Sequence, residues 1–485
     1  MRPFRVFKLL LFLLCVITVS LYILVSNEEA NHRSRRPQGH PVYDGKHVVE
    51  LPAFQNPIPE QQKPEPIDLA QGKRFPRTEM PNLAKSNASS IKQGKPQSND
   101  TVLIAGNGNV KSEKWTRPKV DLNNIAEIKA AMLDVNHKQY IHNLDKFPSR
   151  PSNSIVVVVQ AHQRHEYLQF LINSMRAVPN IEEILLVISL DWYSEEMNAI
   201  VDSIDFCQVI QIFYPFSIQV YKDEFPGFHP NDCPRDMPKA KAADVKCNNW
   251  EHPDQYGHYR EPRYTMTKHH WWWKLQHVFT GLDTTADHNG LVLLLEEDHY
   301  VIPDFLSMLS SMYNFKKNTC PECDILTLGL YDKGVHYSDR SNKVDALIWH
   351  SSKHNMGMAM DRNSFNKLQG CAKEFCVFDD YNWDWTLQHI SKHCMSSSLM
   401  ALVSKSPRVF HIGECGIHHN GKQCNVAEKV KHIESVLEVN KQHLFPNELK
   451  LGQKTRTLSA KPSKPNGGWG DIRDHALCMS YGKKV

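Results

Sequence analysis

The chain has 485 residues and a mass of 55.9 kDa, which is enough for one large domain with extensions or for two domains. Hydrophobic residues make up 41% and charged residues 23%, and these globular proportions exclude a wholly disordered protein. The formal net charge is only +4, so the composition argues against a nucleic-acid partner.

The N terminus carries an apolar run, residues 9–25, that predicts a transmembrane signal-anchor. As a helix this run spans about 26 Å, slightly less than the ~30 Å hydrocarbon core of an average bilayer. The basic segment 1–8 is predicted to be a cytosolic tail, which leaves the rest of the chain in the lumen. A cleaved signal peptide is the alternative, but no Ala-x-Ala-like site follows the run. A short span suits the thin membranes of the early secretory pathway.

Residues 26–118 differ in composition from the rest of the chain. They contain 11 of the 28 prolines and show little hydrophobic periodicity. Such a segment cannot bury enough apolar surface to offset its ordering entropy, so we predict a disordered lumenal stalk. Asn87 and Asn99 begin Asn-x-Ser/Thr motifs within this stalk and are predicted N-glycosylation sites.

The twelve cysteines fit a lumenal protein. Cys15 lies in the predicted membrane segment, and an oxidising lumen favours disulfides among the other eleven. Because eleven is odd, at least one cysteine should stay free or pair between chains, and the sequence leaves the connectivity open. The motif Cys320-Pro-Glu-Cys323 could be a redox pair, half of a zinc site or a small structural bridge. The chain has no second C-x-x-C motif, which disfavours zinc.

Residues 119–485 predict a folded domain of the α/β class. Apolar residues at helical spacing predict a leading helix that contains Ile125, Ile128, Met132 and Val135. An amphipathic helix is predicted at 166–177. Continuous apolar runs, which are typical of strands covered on both faces, occur at 154–160, 184–190, 208–214 and 290–295. This alternation predicts a mostly parallel central sheet.

Polar and acidic residues follow three of these strands. In open α/β sheets ligands bind outside the carboxyl ends of the strands, so we expect a site around residues 160–164, Asp191 and the acidic run Glu296-Glu297-Asp298. Two unit charges about 4 Å apart repel by about 4 kcal/mol at an effective dielectric constant of about 20. A divalent cation, Mg²⁺ or Mn²⁺, would offset that repulsion and could bridge the phosphates of a nucleotide.

Side-chain alternation along a strand predicts that Glu296 and Asp298 face one way and Glu297 the other. A solvated acidic turn is the alternative interpretation of these three residues.

Four motifs together resemble the N-acetylglucosaminyltransferase II family. They are LLLEEDHY at 293–300, TKHHWWWK at 267–274, DDYNWDW at 379–385 and NGGWGD at 466–471. The similarity extends from about residue 120 to the C terminus. It implies a catalytic domain of the GT-A nucleotide-sugar fold in a Golgi enzyme. Such an enzyme adds β1,2-linked GlcNAc from UDP-GlcNAc to the α1,6-arm mannose of N-glycans, with inversion.

The resemblance implies a metal site in which Asp298 and His411 are the protein ligands. A histidine ligand fits Mn²⁺ better than Mg²⁺. The positions that match donor-binding segments of the family are Gln160, Ala161, His162, Gln163, Arg164, Asp191, Met266, Thr267, Lys268, His269, His270, Glu296 and Glu297. Within this set we expect Asp191 to accept from the uracil N–H and Lys268 to offset phosphate charge. The stretch beginning at His162 departs from the Asn-Arg-Pro-Glu-like pattern of the family.

Asp384 matches the general base of the family. Such a base takes the proton from the acceptor hydroxyl as that oxygen attacks the sugar opposite UDP. Trp383 and Trp385 flank it and could contact sugar faces, with core packing as the alternative for each, and Asn355 could bind acceptor hydroxyls. Successive helical residues point about 100° apart, so we expect at least two of the three tryptophans at 271–273 to be core.

The resemblance also implies five disulfides and a free Cys207. The pairs are Cys233–Cys247, Cys320–Cys323, Cys371–Cys394, Cys376–Cys478 and Cys415–Cys424. The loop that contains Gly467 and Gly468 could be a lid or a turn, and the sequence does not distinguish them.

The favoured function is therefore an inverting, Mn²⁺-dependent transferase with an N-glycan acceptor, anchored in the Golgi membrane. The alternatives are a sister β1,2-GlcNAc-transferase acting on another mannose, a metal-dependent phosphohydrolase and a lectin-like protein with an inactive site. A phosphohydrolase usually needs two metals and more His and Asp ligands than these strand ends offer. The oligomeric state stays open, and a homodimer is one of the alternatives.

Overall fold

The computed structural model describes residues 115–331, 335–413, 425–456 and 464–482. The predicted cytosolic tail, the signal-anchor and the stalk up to residue 114 lie outside the described residues. So do both predicted glycosylation sites, Asn87 and Asn99, and the predicted Cys415–Cys424 bridge. In the ranges described, no helix is both long and apolar enough to cross a membrane.

Strands and helices alternate along the described chain. The strands are β1 (Ile141–His142), β2 (Val156–Ala161), β3 (Leu185–Leu190), β4 (Gln208–Phe213), β5 (Val292–Glu296), β6 (His299–Val301), β7 (Cys323–Thr327), β8 (Lys343–Ile348), β9 (Met358–Met360), β10 (Met400–Ser404), β11 (Val409–His411) and β12 (Lys450–Lys454).

The α-helices, numbered in the same way, are α1 (Ile125–Lys138), α2 (His165–Arg176), α3 (Glu195–Asp202), α4 (Lys239–Val245), α5 (Pro262–Gln276), α6 (Phe305–Thr319), α7 (Ser351–His354), α8 (Arg362–Gly370), α9 (Ala372–Val377), α10 (Trp383–His393), α11 (Val426–Asn440) and α12 (Ile472–Ser480). Short 3₁₀ turns occur at Ile181–Glu183, Asp283–Thr285 and Lys441–His443, and a π-helical turn, His277–Gly281, continues α5.

Ten strands form one sheet in the order β1-β4-β3-β2-β5-β9-β7-β10-β8-β12. The neighbours β4, β3, β2 and β5 are parallel, as predicted. Over the whole sheet, however, five pairings are parallel and four are antiparallel, so the sheet is mixed rather than mostly parallel. Three of the antiparallel pairings lie beyond β5, where the three-residue strand β9 runs antiparallel to both β5 and β7 and β10 runs antiparallel to β8. The fourth joins β1 to β4 at the other edge of the sheet.

Both faces of the central strands are covered. Along β2, Val157 and Val159 pack into one apolar cluster, whereas Val156 and Val158 pack into a second cluster on the opposite face. All four valines are fully buried. This double burial explains why the strands are continuous apolar runs, and it confirms the α/β class.

The helices divide between the two faces of the sheet. Buried residues of α1, α2 and α6 belong to the first cluster, and those of α5, α10 and α12 belong to the second. In the leading helix, Ile128, Met132 and Val135 are buried as predicted, while Ile125 at its first position is exposed.

A two-stranded antiparallel ribbon, β6 and β11, lies outside the main sheet. Its register sets His411 opposite His299 and Phe410 opposite Tyr300. Helix α11 covers the ribbon through a small apolar cluster that includes Tyr300, Ile412 and Val430. The ribbon brings the end of β11 to the turn that follows β5.

Four of the predicted disulfides are present: Cys233–Cys247, Cys320–Cys323, Cys371–Cys394 and Cys376–Cys478. Among the cysteines that the structure describes, Cys207 is free and buried, which confirms that prediction. Cys320 and Cys323 form a disulfide, the alternative that the sequence favours over half of a zinc site.

The first described residues already contact the domain. The Trp115 ring centroid lies 5.3 Å from that of Tyr140. Arg117 Nη1 lies 2.6 Å from Asp202 Oδ2, and its Nη2 donates to Gln211 Oε1 at 2.6 Å. These contacts join residues 115–118 to the folded domain, so the domain begins before residue 119 and the predicted stalk boundary at 118 is too late.

Candidate active site

Adjacent strands bring the predicted site residues to one edge of the sheet. In the parallel register Gln160 of β2 is the partner of Ser189 on one side and of Glu296 on the other. The strands β3, β2 and β5 therefore end together, so Asp191 and the acidic run after β5 flank the loop that follows Gln160.

Arg164 connects two of the three carboxylates. Its Nε donates to Glu297 Oε1 at 2.6 Å, and its Nη1 lies 2.9 Å from Asp298 Oδ2. Glu297 also accepts from the His162 backbone N–H at 2.8 Å. Strand β5 ends at Glu296, so the strict alternation predicted for this run does not extend beyond it, and Glu297 and Asp298 both reach Arg164.

Asp298 and His411 meet directly. His411 Nε2 lies 3.2 Å from Asp298 Oδ2, although the two residues are 113 positions apart. Burial alone would raise the pKa of Asp298, but the hydrogen bond and charge of His411 hold that pKa below its ordinary value. The carboxylate therefore stays ionised.

The residues present fit a divalent cation. Asp298 Oδ1 is buried and has no hydrogen-bond partner among the described residues. Buried polar atoms normally have a partner, so this oxygen is available to coordinate a cation. Glu296, Asp298 and His299 each offer a ligand atom within 4.8 Å of the others. With His411 they form an oxygen and imidazole set of the kind that suits Mn²⁺.

Two residues of the site, His299 and Gly413, are not predicted from the sequence. His299 Nδ1 accepts from the Glu296 backbone N–H at 3.1 Å, so the imidazole secures the acidic turn. A Cβ at Gly413 would lie 2.1 Å from Asp298 Oδ2, so only glycine allows the chain to pass there. The position of His299, directly after Asp298, is the sequence feature from which its place in the site could have been predicted.

Two imidazoles surround Asp191. His162 Nδ1 lies 2.5 Å from Asp191 Oδ1, and His270 Nδ1 lies 3.4 Å from Asp191 Oδ2. Ser189 Oγ lies 2.8 Å from His270 Nε2. Burial favours the neutral acid, but His162 outweighs it and lowers the pKa of Asp191. The departure from the family pattern at His162 therefore supplies a partner for the carboxylate expected to contact uracil.

Helix α5 carries the predicted donor segment that contains Met266 and Thr267, and its next three residues are buried. Lys268 is 0% exposed, and its ammonium donates to the carbonyls of Phe378 and Asp380 at 3.0 and 2.9 Å. The phosphate contact expected of Lys268 is therefore not supported. Burial lowers the pKa of Lys268 to about 7. His269 instead contacts Asp474 of α12, with its Nε2 2.9 Å from Oδ1.

A second buried lysine of α5, Lys274, was also missed. Its Nζ donates to Gln160 Oε1 at 2.6 Å, and its side chain is 1% exposed. This bond holds the Gln160 side chain at the end of β2 and sets a cation close enough to interact with Glu296. Because the two partners are 114 residues apart, no local sequence pattern could have predicted this contact.

Asp384 lies in the first turn of α10 and is half-buried. Its Oδ1 accepts from the Trp385 backbone N–H at 2.9 Å, and its Oδ2 accepts from Asn355 Nδ2 at 3.1 Å. Burial, with the nearby charges of Asp380 and Glu296, raises the pKa of Asp384 to about 7. A carboxylate of this basicity suits proton removal near neutral pH.

The three residues expected to bind acceptor differ in their surroundings. Trp383 is only 8% exposed and stacks on Trp271 with centroids 4.4 Å apart, so it is a core residue and not a sugar platform. Trp271, Trp272 and Trp273 are all buried, which confirms the core prediction. Trp385 is half-buried. Asn355 donates a hydrogen bond to Asp384, so its side chain has a partner within the protein besides any hydroxyl of the acceptor substrate.

The glycine loop is a fixed turn. Gly467 and Gly468 both have φ of +75°, a conformation that favours glycine. Gly468 N–H donates to Asp254 Oδ2 at 2.7 Å, and Trp469 N–H donates to Asp379 Oδ1 at 3.0 Å. Trp469 is fully buried. These contacts tie the glycine loop, which precedes α12, to Asp254 and to the segment before α10, and they argue against a lid.

Most of the chain is similar in sequence to one family of known proteins. The family model for N-acetylglucosaminyltransferase II (MGAT2) matches residues 129–478. The alpha-1,6-mannosyl-glycoprotein 2-beta-N-acetylglucosaminyltransferase of Rattus norvegicus is 46% identical over 365 residues, 75% of this chain and 82% of that protein. The Homo sapiens protein of the same name is 44% identical, with 75% and 81% covered.

Among solved structures, S. aureus TarS 1–349 in complex with UDP-GlcNAc is 12% identical with a TM-score of 0.27, covering 61% of this chain and 68% of that one. The family model and the identities to the two mammalian proteins show that the chain belongs to the N-acetylglucosaminyltransferase II family.

Proposed function

We propose that the protein transfers GlcNAc from UDP-GlcNAc, in β1,2 linkage and with inversion, to the α1,6-arm mannose of N-glycans. Family membership over residues 129–478 supports the reaction class and the acceptor. The observation that carries the proposal is a half-buried Asp384 whose pKa is close to neutrality and which lies near enough to Glu296 to interact with its charge. In the same acidic run, Asp298 is ionised and paired with His411.

Asp384 acts as the general base. Its carboxylate takes the proton of the acceptor hydroxyl while that oxygen forms a bond to the anomeric carbon, and the bond from that carbon to UDP breaks on the opposite face. General-base assistance of this kind contributes about 10²–10⁴ in rate. The hydrogen bonds from Trp385 N–H and Asn355 orient the carboxylate before the acceptor arrives.

Asp298 and His411 would hold Mn²⁺, with Glu296 and His299 close enough to contribute ligands. When bound, the cation neutralises charge on the departing diphosphate. Arg164, which lies against Glu297 and Asp298, supplies a further positive charge at the same edge. Asp191, directly after β3, and Gln160, near the end of β2, complete the proposed donor side at the same edge of the sheet.

The proposed location is the Golgi lumen, with residues 9–25 as a type II signal-anchor and 1–8 as the cytosolic tail. The apolar run and its basic flank support this arrangement. The four disulfides of the described domain agree with an oxidising compartment.

The test uses the full chain, purified in detergent, with UDP-GlcNAc and defined N-glycan acceptors. We expect GlcNAc to be added only where the α1,6-arm mannose is free, and NMR of the product should show a β1,2 bond. EDTA should abolish turnover and Mn²⁺ should restore it. Transfer to a different mannose would support a sister enzyme, and UDP-GlcNAc hydrolysis without acceptor would support a phosphohydrolase.

Asp384→Asn separates catalysis from binding in the same assay. The variant should lose about 10²–10⁴ in kcat while it still binds UDP, because only the base is removed. Asp205→Asn, at an exposed carboxylate, is the matched control and should retain full turnover. Wild-type turnover by Asp384→Asn would refute the assigned mechanism.

A further inference from the structure

Two side chains in series fix one oxygen of Asp384. Tyr331 Oη donates to Asn355 Oδ1 at 2.9 Å, and Asn355 Nδ2 donates to Asp384 Oδ2 at 3.1 Å. Tyr331 follows β7, Asn355 ends the short helix α7, and Asp384 lies in the first turn of α10. Three separate parts of the chain therefore meet at the proposed base.

The orientation of the Asn355 carboxamide decides whether it helps or opposes the base. Its NH₂ group can donate to a carboxylate, whereas its oxygen can only accept and would repel Asp384. The Tyr331 hydroxyl donates to that oxygen, so it favours the orientation that turns the NH₂ group towards Asp384. The preference arises from a residue that does not contact Asp384 through a hydrogen bond itself.

We propose that Tyr331 is a positioning residue for the transfer reaction: its hydroxyl holds Asn355 in the donating orientation, and Asn355 in turn directs Asp384 towards the acceptor hydroxyl. The inference rests on the proposed function, in which Asp384 is the general base. It assigns Asn355 to the alignment of the base, in contrast to the acceptor contact expected from sequence.

The groups that face Asp384 determine in which direction its pKa shifts when the Asn355 hydrogen bond is lost. Asp380, in the turn before α10, and Glu296, at the end of β5, both raise the pKa of Asp384 through their negative charge, in addition to burial. Tyr331 and Tyr381 are the titratable phenols nearby. The Asn355 hydrogen bond lowers the pKa of Asp384. Loss of that bond therefore raises the pKa further, and a larger fraction of the base is protonated at neutral pH.

The decisive variant is Tyr331→Phe, which removes only the hydroxyl from a half-exposed ring. The full chain is assayed for kcat and both KM values from about pH 5 to about pH 9. We expect the acidic limb of kcat to move up by about 0.5–1 pH unit and kcat at about pH 7 to fall about two- to fivefold. Both KM values should stay within about twofold of wild type, because neither substrate loses a contact.

Asn355→Leu is the second variant, because it keeps the side-chain size and removes the amide. Its acidic limb should move at least as far as that of Tyr331→Phe, by about one unit or more. It carries the same test if the tyrosine variant fails to fold. Tyr313→Phe on α6 is the matched control, since it also loses one phenol hydroxyl, and it should keep the wild-type profile.

Two results would overturn the inference. One is an unshifted acidic limb in both variants. The other is a raised acceptor KM with an unshifted limb, which would assign Tyr331 and Asn355 to acceptor binding. The proposed function fails by a different result, namely wild-type turnover in Asp384→Asn, so the two failures are distinguishable.

Discussion

Burial of a single carboxylate sets the working pH of the site. The pKa of Asp384 is raised to about 7, and a general base is active only when it is deprotonated. The rate should therefore rise about tenfold per pH unit below about pH 7 and level off above it. A profile of kcat against pH checks this, with Mn²⁺ and both substrates saturating. A limb near the ordinary aspartate pKa would show that burial does not control the base.

The Asp298 carboxylate should dominate cation binding. Asp298→Asn removes a charged ligand, so Mn²⁺ affinity should fall by more than the roughly 10–100-fold that the loss of an outer-shell partner costs. Calorimetric titration of Mn²⁺ in the presence of UDP measures this without turnover. Asp205→Asn, at an exposed position, should titrate as wild type. Unchanged affinity in Asp298→Asn would place the cation elsewhere.

At the residue scale, sequence predicted the acidic cluster because its members are adjacent at a strand end. It could not predict Tyr331 or Lys274, since their partners lie 24 and 114 residues away. Sequence also left Trp383 open between a sugar contact and core packing, and it expected Lys268 at a phosphate, whereas both side chains are buried. An aromatic or basic residue beside a motif has the same local pattern whether it faces a ligand or the core, and only the packing of α5 against α10 distinguishes the two.

At the scale of elements, helix α12 depends on a buried ion pair. Arg260 Nε donates to Asp474 Oδ2 at 2.9 Å and its Nη2 donates to Oδ1 at 3.0 Å, with both side chains buried. Asp474→Asn removes the closest carboxylate and leaves Arg260 only Asp232 and Asp471, each 3.7 Å away, so the free energy of unfolding should fall by up to about 3–5 kcal/mol. Denaturant unfolding of the variant measures this, and a loss below about 1 kcal/mol would show that Arg260 finds another partner.

The same pair predicts sensitivity to acid. Burial opposes ionisation, but Arg260 and His269 outweigh it and lower the pKa of Asp474. A carboxylate with a lowered folded-state pKa contributes stability above its ordinary pKa and loses it as the pH falls towards the folded value. Wild-type stability should therefore decrease below about pH 4, and Asp474→Asn should lack that part of the decrease.

The strands β2 to β5 were predictable because double burial makes each one a continuous apolar run. Several later strands were not, since β6, β9 and β11 have three residues each and β8 and β12 contain charged residues. Their order depends on long-range pairing, such as β9 between β5 and β7, for which no local pattern exists. Three of the four antiparallel pairings of the sheet lie in this half.

At the scale of the whole molecule, the four bridges should differ in their effect on stability. Cys376–Cys478 closes 102 residues and ties α9 to α12, whereas Cys320–Cys323 closes only 3. Loop-closure entropy predicts a loss of about 4.7 kcal/mol when the longer link is replaced by two alanines, and about 1.6 kcal/mol for the shorter one. Denaturant midpoints of the two double-alanine variants compare them. Equal losses would show that entropy of the unfolded chain is not the main contribution.

The pairing of β6 and β11 determines which sequence changes the site around Asp298 can tolerate. Each of its strands has three residues, and the pairing sets His411 opposite His299. Neighbouring side chains on a strand point to opposite faces, so shifting the pairing by one position would turn the imidazole of His411 away from Asp298. Single-residue insertions or deletions in either strand should therefore be more damaging than most point substitutions there.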